Sequence, residues 1–132
     1  MIKVVHMEGG AVLDSFRDYP CMAFLLDAAV PGNYGGTGIT LDWGDLGRTI
    51  GGPLVRAGRS GSSVPDRPWL LAGGLTPGNV SEAIRAARPF GVDVASGIEA
   101  TPGKKDPGKM KAFVQNAREG FRIAGIGGKT PA

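Results

Sequence analysis

Short apolar runs alternate along the chain with segments whose apolar residues recur at helical spacing. Continuous runs of this kind are typical of strands that are buried on both faces of a parallel sheet. They predict strands over Ile2–His6, Ala23–Asp27, Leu70–Ala72 and Val92–Ala95. The helical spacing predicts helices over Ala11–Tyr19, Asn79–Ala87 and Gly108–Arg118. This alternation predicts a parallel sheet whose strands are joined by right-handed crossovers.

Two of the predicted helices begin with a capping residue that is followed by proline. Thr76-Pro77 and Asp106-Pro107 therefore predict the N-caps of the second and third helices. The apolar side of the last helix is expected to contain Met110, Phe113 and Val114.

The stretch from residue 44 to residue 68 is the least regular part of the sequence. Its glycines and Pro53 interrupt any long helix, so we expect at most one short helix, at Leu46–Ile50 or Leu54–Arg56. Residues 59–63 resemble a flexible insertion. From Ile123 onward the sequence is rich in glycine, which predicts one domain over residues 1–122 and a flexible tail over 123–132.

The chain length limits the architecture. Its 132 residues are enough for one domain and about four βα units. Four units are half of a (β/α)₈ barrel, which typically takes about 250 residues and seldom fewer than about 200. The predicted fold class is therefore α/β, with parallel βα units of the TIM-barrel type and only half a barrel present. Either the sheet stays open, or two four-unit pieces meet.

Charge and composition argue against nucleic-acid and membrane partners. The net charge is +3, but the basic residues are scattered and no aromatic residues are interleaved with them, so a solvated surface is favoured over a nucleic-acid site. Cys21 is the only cysteine, which excludes an internal disulfide. No signal-peptide pattern and no membrane-length apolar run is present. These features predict a cytoplasmic protein without nucleic-acid or membrane partners.

Small residues follow two of the predicted strands. Gly73 and Gly74 come after Leu70–Ala72, and Ser96 and Gly97 follow the run that begins at Val92. Paired loops of this kind at neighbouring strand ends expose backbone N–H groups and can hold a phosphate. The alternative is a pair of tight turns without a ligand.

Two aspartates lie at or near predicted strand ends. Asp27 ends its strand, at the rim where barrel enzymes carry their chemistry, and could act as a general acid or cap the next loop. Asp93 alternates with Val92 and Val94, so it is expected either to face the barrel interior or to be a buried structural aspartate.

Four further features of the sequence bear on the site. His6 could contact a ligand or pack at the rim. Gly35–Gly38 could be a mobile flap or a plain loop, and it does not fit the dinucleotide fingerprint. The segment 127–130 imitates the end of a P-loop, but Ile123 stands where its first glycine belongs. Cys21 precedes the second strand, at the end opposite Asp27, so it is a poor candidate for a catalytic base.

An ordered set of motifs resembles the phosphoribosylanthranilate isomerases of tryptophan biosynthesis. The resemblance extends from Ile2 to about Arg118 and is specific because the motifs occur together and in order. They are Leu25-Leu-Asp27, Gly35-Gly-Thr-Gly38 with Asp42-Trp43, Leu71-Ala-Gly-Gly-Leu75 with Asn79-Val80, Val92-Asp-Val-Ala-Ser-Gly-Ile-Glu99, Pro102-Gly103 and Lys105-Asp106.

The resemblance implies a fold, a reaction and a set of residue roles. The family is a (β/α)₈ barrel that converts a phosphorylated aminoaldose into an aminoketose without metal or organic cofactor. Asp27 would be the general acid that protonates the ribose ring oxygen. The remaining roles implied are phosphate binding by Gly73, Gly74, Ser96, Gly97 and Ile98, and substrate binding by Gly36, Thr37 and Asp93.

The resemblance covers only the last four strands of the barrel and their helices. The family's general base is a cysteine on the first strand, and an arginine of the first half helps to hold the substrate carboxylate; neither has a counterpart here. We therefore expect a homodimer of half-barrels or an N-terminal half-barrel partner. The alternatives are a non-catalytic phosphate-binding half-barrel, a purely structural role, or one of the dual-substrate isomerases that also serve histidine biosynthesis.

Overall fold

A computed structural model of the chain describes residues 1–7, 19–28, 43–55 and 66–126. In chain order, its strands are β1 (Ile2–His6), β2 (Ala23–Asp27), β3 (Leu54–Val55), β4 (Arg67–Ala72), β5 (Gly91–Val92), β6 (Glu99–Thr101) and β7 (Lys104–Lys105). The helices are α1 (Trp43–Ile50), α2 (Val80–Ala87) and α3 (Pro107–Ala124), with a 3₁₀ turn at Ser96–Ile98.

The main sheet is parallel along the row β1, β2, β4 and β5. His6 pairs with Asp27 in register, and Asp27 pairs with Ala72, so the carboxyl ends of these strands lie at one edge. β5 is parallel to the end of β4, whereas the short β3 is antiparallel to its beginning. The parallel strands with intervening helices confirm the predicted α/β class built from parallel βα units.

The two faces of the sheet differ in their burial. On the helix-covered face, Phe24, Leu26, Trp69 and Leu71 are completely buried. On the other face the register aligns Val4 with Leu25 and Leu70, and there Val4 is 44% exposed while Leu25 and Leu70 are only half-buried. The described part of the chain therefore has one closed face and one open apolar face.

The helices pack closely where glycine removes a side chain. A Cβ atom at Gly120 of α3 would lie 3.0 Å from the Cα atom of Ser81 in α2. Trp69 of β4 is anchored from the loop before β3, since its indole N–H donates to the Gly52 carbonyl at 2.7 Å. At the amino end of β4, the buried Arg67 donates to the Tyr19 carbonyl and stacks on the Phe24 ring.

The first two predicted strands are confirmed with their bounds, and the other two differ in length. β4 begins earlier than expected, at Arg67, because its first residues pair with β3. The fourth strand was predicted over Val92–Ala95 but covers only Gly91–Val92. The chain turns into the 3₁₀ segment at Ser96 instead, so Asp93 follows the strand and does not lie within it.

The helices α2 and α3 lie where they were predicted, but one N-cap, one helix end and part of one buried face differ from the prediction. The N-cap of α2 is Asn79, not Thr76, whose carbonyl accepts from Val80 N. Asp106 caps α3 as predicted, accepting from Lys109 N at 3.0 Å, but α3 continues to Ala124, past the expected start of the tail. Of the expected apolar side of α3, only Phe113 is buried; Met110 and Val114 are 44% and 47% exposed.

Between β2 and β4, the structure shows α1 over Trp43–Ile50, which contains one of the two predicted short helices. The other, at residues 54–56, is wrong, since Leu54–Val55 is a strand. The predictions for residues 11–18, 32–38, 59–63 and 127–132 fall outside the described residues. No helix in the described part of the chain is long and apolar enough to cross a membrane.

Candidate active site

Asp27 lies at the carboxyl-end edge of the sheet, as its place in the sequence predicted. It is the last residue of β2, and its backbone carbonyl accepts from Met7 N at 3.0 Å. Its side chain is 28% exposed, so the carboxyl group is partly shielded yet reaches the surface. A carboxyl group in this position can exchange a proton with a bound ligand.

His6 is the side chain found beside Asp27. Its Nδ1 atom lies 3.5 Å from Asp27 Oδ2, because the two residues are paired across β1 and β2. The His6 side chain is 73% exposed, so the expectation of a packed rim histidine is wrong. The pair places two groups capable of proton transfer at the same edge of the sheet.

The Gly73-Gly74 loop after β4 has a backbone that glycine adopts readily. The φ angles are 92° at Gly73 and 69° at Gly74, in the left-handed region. Asn79 holds this loop from the start of α2: its Nδ2 atom donates to the Gly74 carbonyl at 2.9 Å, and its Oδ1 atom accepts from Thr76 N at 2.7 Å. One side chain thus holds the backbone on both sides of Leu75, immediately after the two glycines.

The Ser96 turn lies directly against this loop. A Cβ atom added to Gly97 would be 1.8 Å from the Leu75 carbonyl oxygen and 3.2 Å from Thr76 Cα, so only glycine fits there. Ser96 is exposed, while the buried Ile98 anchors the turn and its carbonyl accepts from Asp106 N at 2.8 Å. The two loops that the sequence singled out are therefore neighbours in space.

Asp93 follows β5 by one residue, and its backbone N–H donates to the Leu71 carbonyl at 2.9 Å. Its side chain is exposed, so the alternative of a buried structural aspartate is wrong. Since Leu71 pairs with Val92, Asp93 stands level with Ala72, the partner of Asp27. Asp93 thus belongs to the same edge of the sheet as Asp27 and the two loops.

Two expected site residues lie in the part of the chain that is not described, and the rejected base candidate Cys21 lies at the far end of the sheet. Gly36 and Thr37 lie outside the described residues. Cys21 precedes β2, 3.8 Å from the Arg67 guanidinium, which places its thiol at the amino end, opposite Asp27. Within the described ranges, no group of three or more His, Cys, Asp or Glu side chains could hold a metal ion.

Sequence inspection missed two polar side chains that shape the loops. Asn79 was noticed only as part of a motif, although an asparagine after Thr-Pro-Gly signals a side chain that returns to its own turn. Lys105 donates to the Ala95 carbonyl at 2.8 Å and to Glu99 Oε1 at 3.0 Å. Ala95 and Glu99 precede the hairpin turn and Lys105 follows it. The spacing of residues along the sequence does not reveal such contacts.

Parallel βα units that carry an aspartate and two adjoining loops at one edge define an α/β protein whose candidate site lies at the carboxyl ends of its strands. The sequence profile of the N-(5'-phosphoribosyl)anthranilate isomerases matches residues 2–116. The chain therefore belongs to this family.

Individual relatives agree with this assignment. The chain is 51% identical over 122 residues to the N-(5'-phosphoribosyl)anthranilate isomerase of Myxococcus xanthus, covering 89% of this chain and 51% of that protein. The crystal structure of the Thermotoga maritima isomerase is 37% identical, with a TM-score of 0.68 over 89% of this chain and 51% of the other. A crystal structure of such an isomerase in complex with reduced 1-(o-carboxyphenylamino)-1-deoxyribulose 5-phosphate is 33% identical, with a TM-score of 0.62 over 89% of this chain and 48% of the other. The chain thus spans about half the length of the relatives it matches.

Proposed function

We propose that this chain supplies the general acid and the phosphate-binding loops of a phosphoribosylanthranilate isomerase of tryptophan biosynthesis. The observation that carries the proposal is the contact of Gly97 with Leu75, which joins the two glycine loops at the edge where Asp27 ends its strand. The related isomerase that binds a phosphorylated aminoketose analogue supports the same ligand chemistry here.

In the proposed reaction, Asp27 donates a proton to the ribose ring oxygen as the ring opens. Backbone N–H groups of Gly73, Gly74 and the Ser96–Ile98 turn bind the substrate phosphate. Asp93 contacts the substrate from the same edge of the sheet. Gly36 and Thr37 are assigned to the substrate from the sequence resemblance. The rearrangement consists of proton transfers, and we predict that it needs no metal or organic cofactor.

The apolar side chains that remain exposed on the sheet point to a further part of the protein that packs against them. In a (β/α)₈ barrel the interior face of every strand is packed, whereas Ile2 and Val4 are 54% and 44% exposed here. Met110 and Val114 leave a second apolar strip on α3. We propose that four further βα units, in the same polypeptide or on a partner, cover both surfaces and contribute the base. The alternative is that a second copy of this chain covers these two apolar surfaces. A related isomerase from Thermotoga maritima is dimeric.

Growth of a tryptophan auxotroph that lacks the isomerase tests the function. We expect growth when this chain is expressed with the first four βα units of a relative. We expect Asp27→Asn to abolish that growth, since a general acid typically contributes about 10²–10⁴-fold to the rate. Asp45→Asn is the matched control, because it changes the same group on the surface of α1. No growth of any combination would refute the proposal.

A non-catalytic phosphate-binding protein is the second candidate, and the position of Cys21 favours it. The thiol lies at the amino end of β2, so it cannot replace the base beside Asp27. If this candidate is correct, the chain binds ribose 5-phosphate but supports no growth with any first half. Growth that depends on Asp27 would exclude it.

A further inference from the structure

A lysine on the hairpin after the Ser96 turn reaches back to that turn. Lys105 Nζ donates to the carbonyl of Ala95, the residue that immediately precedes Ser96, at 2.8 Å. The same ammonium group donates to Glu99 Oε1 at 3.0 Å. Lys105 therefore spans the turn from its first flanking residue to its last.

Other bonds from the same segment hold the turn at its far end. Lys109 Nζ donates to the Glu99 carbonyl at 2.9 Å, and Asp106 N donates to the Ile98 carbonyl at 2.8 Å. Together with Lys105, these bonds tie the turn to the hairpin that follows it and to the start of α3. Gly97 also contacts Leu75, so the turn is held by two separate parts of the chain.

The negative charge of Glu99 disfavours an anionic ligand at the turn unless the ammonium group of Lys105 offsets it. The Lys105 hydrogen bond, and next the backbone hydrogen bond from Gly103, lower the pKa of Glu99 below its usual value of 4.5. Glu99 is thus ionised at neutral pH, one residue after the proposed phosphate-binding turn. An uncompensated carboxylate at this place would repel a phosphate.

We propose that Lys105 is a positioning residue of the phosphate site: its ammonium group fixes the Ser96–Ile98 turn through the Ala95 carbonyl and neutralises the adjacent Glu99. This inference rests on the proposed function, because it deepens the role given there to the turn. Lys105 acts through the turn and through Glu99, without contacting the substrate. The role requires both a donor and a positive charge, which methionine lacks while keeping a similar length.

Lys104 provides a matched control within the same hairpin. It is exposed, and it makes no ion pair with another described residue. Lys104→Met and Lys105→Met change the net charge equally and by the same substitution. A general electrostatic effect would therefore affect both variants alike, whereas positioning affects only Lys105→Met.

Two measurements on the full chain test the inference. Titration with ribose 5-phosphate, followed by ³¹P NMR, should show affinity about tenfold lower for Lys105→Met and within about twofold of wild type for Lys104→Met. Amide hydrogen exchange at Asp106, which donates to Ile98, should be about tenfold faster in Lys105→Met only.

The possible failures are distinguishable. If neither the wild type nor the variants bind ribose 5-phosphate, the proposed phosphate site is wrong and this inference falls with it. If the wild type binds and the two variants bind equally well, only the role of Lys105 is overturned. Equal exchange at Asp106 in both variants would likewise contradict a positioning role.

Discussion

Replacing Gly97 by alanine tests the contact between the two glycine loops. The added methyl group would lie 1.8 Å from the Leu75 carbonyl oxygen and 3.2 Å from Thr76 Cα. Both neighbours are backbone atoms, so neither can move away by a side-chain rotation. The Ser96 turn must therefore separate from the Gly73-Gly74 loop, or the loop itself must deform.

The expected cost follows from this geometry. Inserting a group into a well-packed region typically destabilises a protein by about 1–3 kcal/mol, and contact with backbone favours the upper end of that range. We expect Gly97→Ala to lower the free energy of unfolding by about 2–3 kcal/mol. Because the loops separate, the affinity for ribose 5-phosphate should fall at least about tenfold.

Urea unfolding and a ribose 5-phosphate titration measure the two effects. Gly78→Ala is the matched control: its nearest non-neighbouring atom would be Thr76 Oγ1 at 3.8 Å, an ordinary contact. That substitution should change the stability by less than about 1 kcal/mol, in the stabilising direction if it reduces the freedom of the unfolded chain. A Gly97→Ala variant as stable as Gly78→Ala, with unchanged phosphate affinity, would refute the proposed contact.

Substitutions at three further positions probe the fold around the site. Asp106→Ala removes the N-cap of α3 and should lower the free energy of urea unfolding by about 1 kcal/mol, with Asp106→Asn losing less; no loss would contradict the cap. Trp69→Phe deletes the indole hydrogen bond to Gly52 and should cost about 1–2 kcal/mol, measured in the same way, while an unchanged stability would exclude that bond. Glu99 has a lowered pKa when folded, so its stabilisation is present above its usual value of 4.5 and is lost as the pH falls through the lowered value. The melting temperatures of the wild type and Glu99→Gln should therefore converge at acidic pH; a constant difference would argue against the Lys105 interaction.

Local patterns were sufficient to predict the parallel sheet and the position of Asp27 at the end of its strand. A buried strand needs a continuous apolar run, so β2 and its last residue Asp27 could be predicted from the sequence alone. The Gly73-Gly74 pair was visible as well, because a backbone in the left-handed region favours glycine. Asp106 was correctly predicted as a cap since capping depends on the nearest few residues.

Other features depend on contacts that local patterns do not contain. The hydrogen bond from Lys105 to the Ala95 carbonyl connects the end of a hairpin to the residue before the Ser96 turn. The contact of Gly97 with Leu75 joins two loops that are distant in the sequence. The exposure of Met110 and Val114 was not expected because helical spacing shows that a face is apolar, but not whether this chain covers it.

The most direct test is the isomerisation assay on a reconstituted barrel. The purified chain is mixed with the first four βα units of a family member, and conversion of phosphoribosylanthranilate is followed chromatographically. The proposed function predicts activity in the mixture but in neither part alone, and a loss of about 10²–10⁴-fold with Asp27→Asn but not with Asp45→Asn. A folded complex without activity, or equal activity of the Asp27→Asn mixture, would contradict the proposal that Asp27 is the general acid.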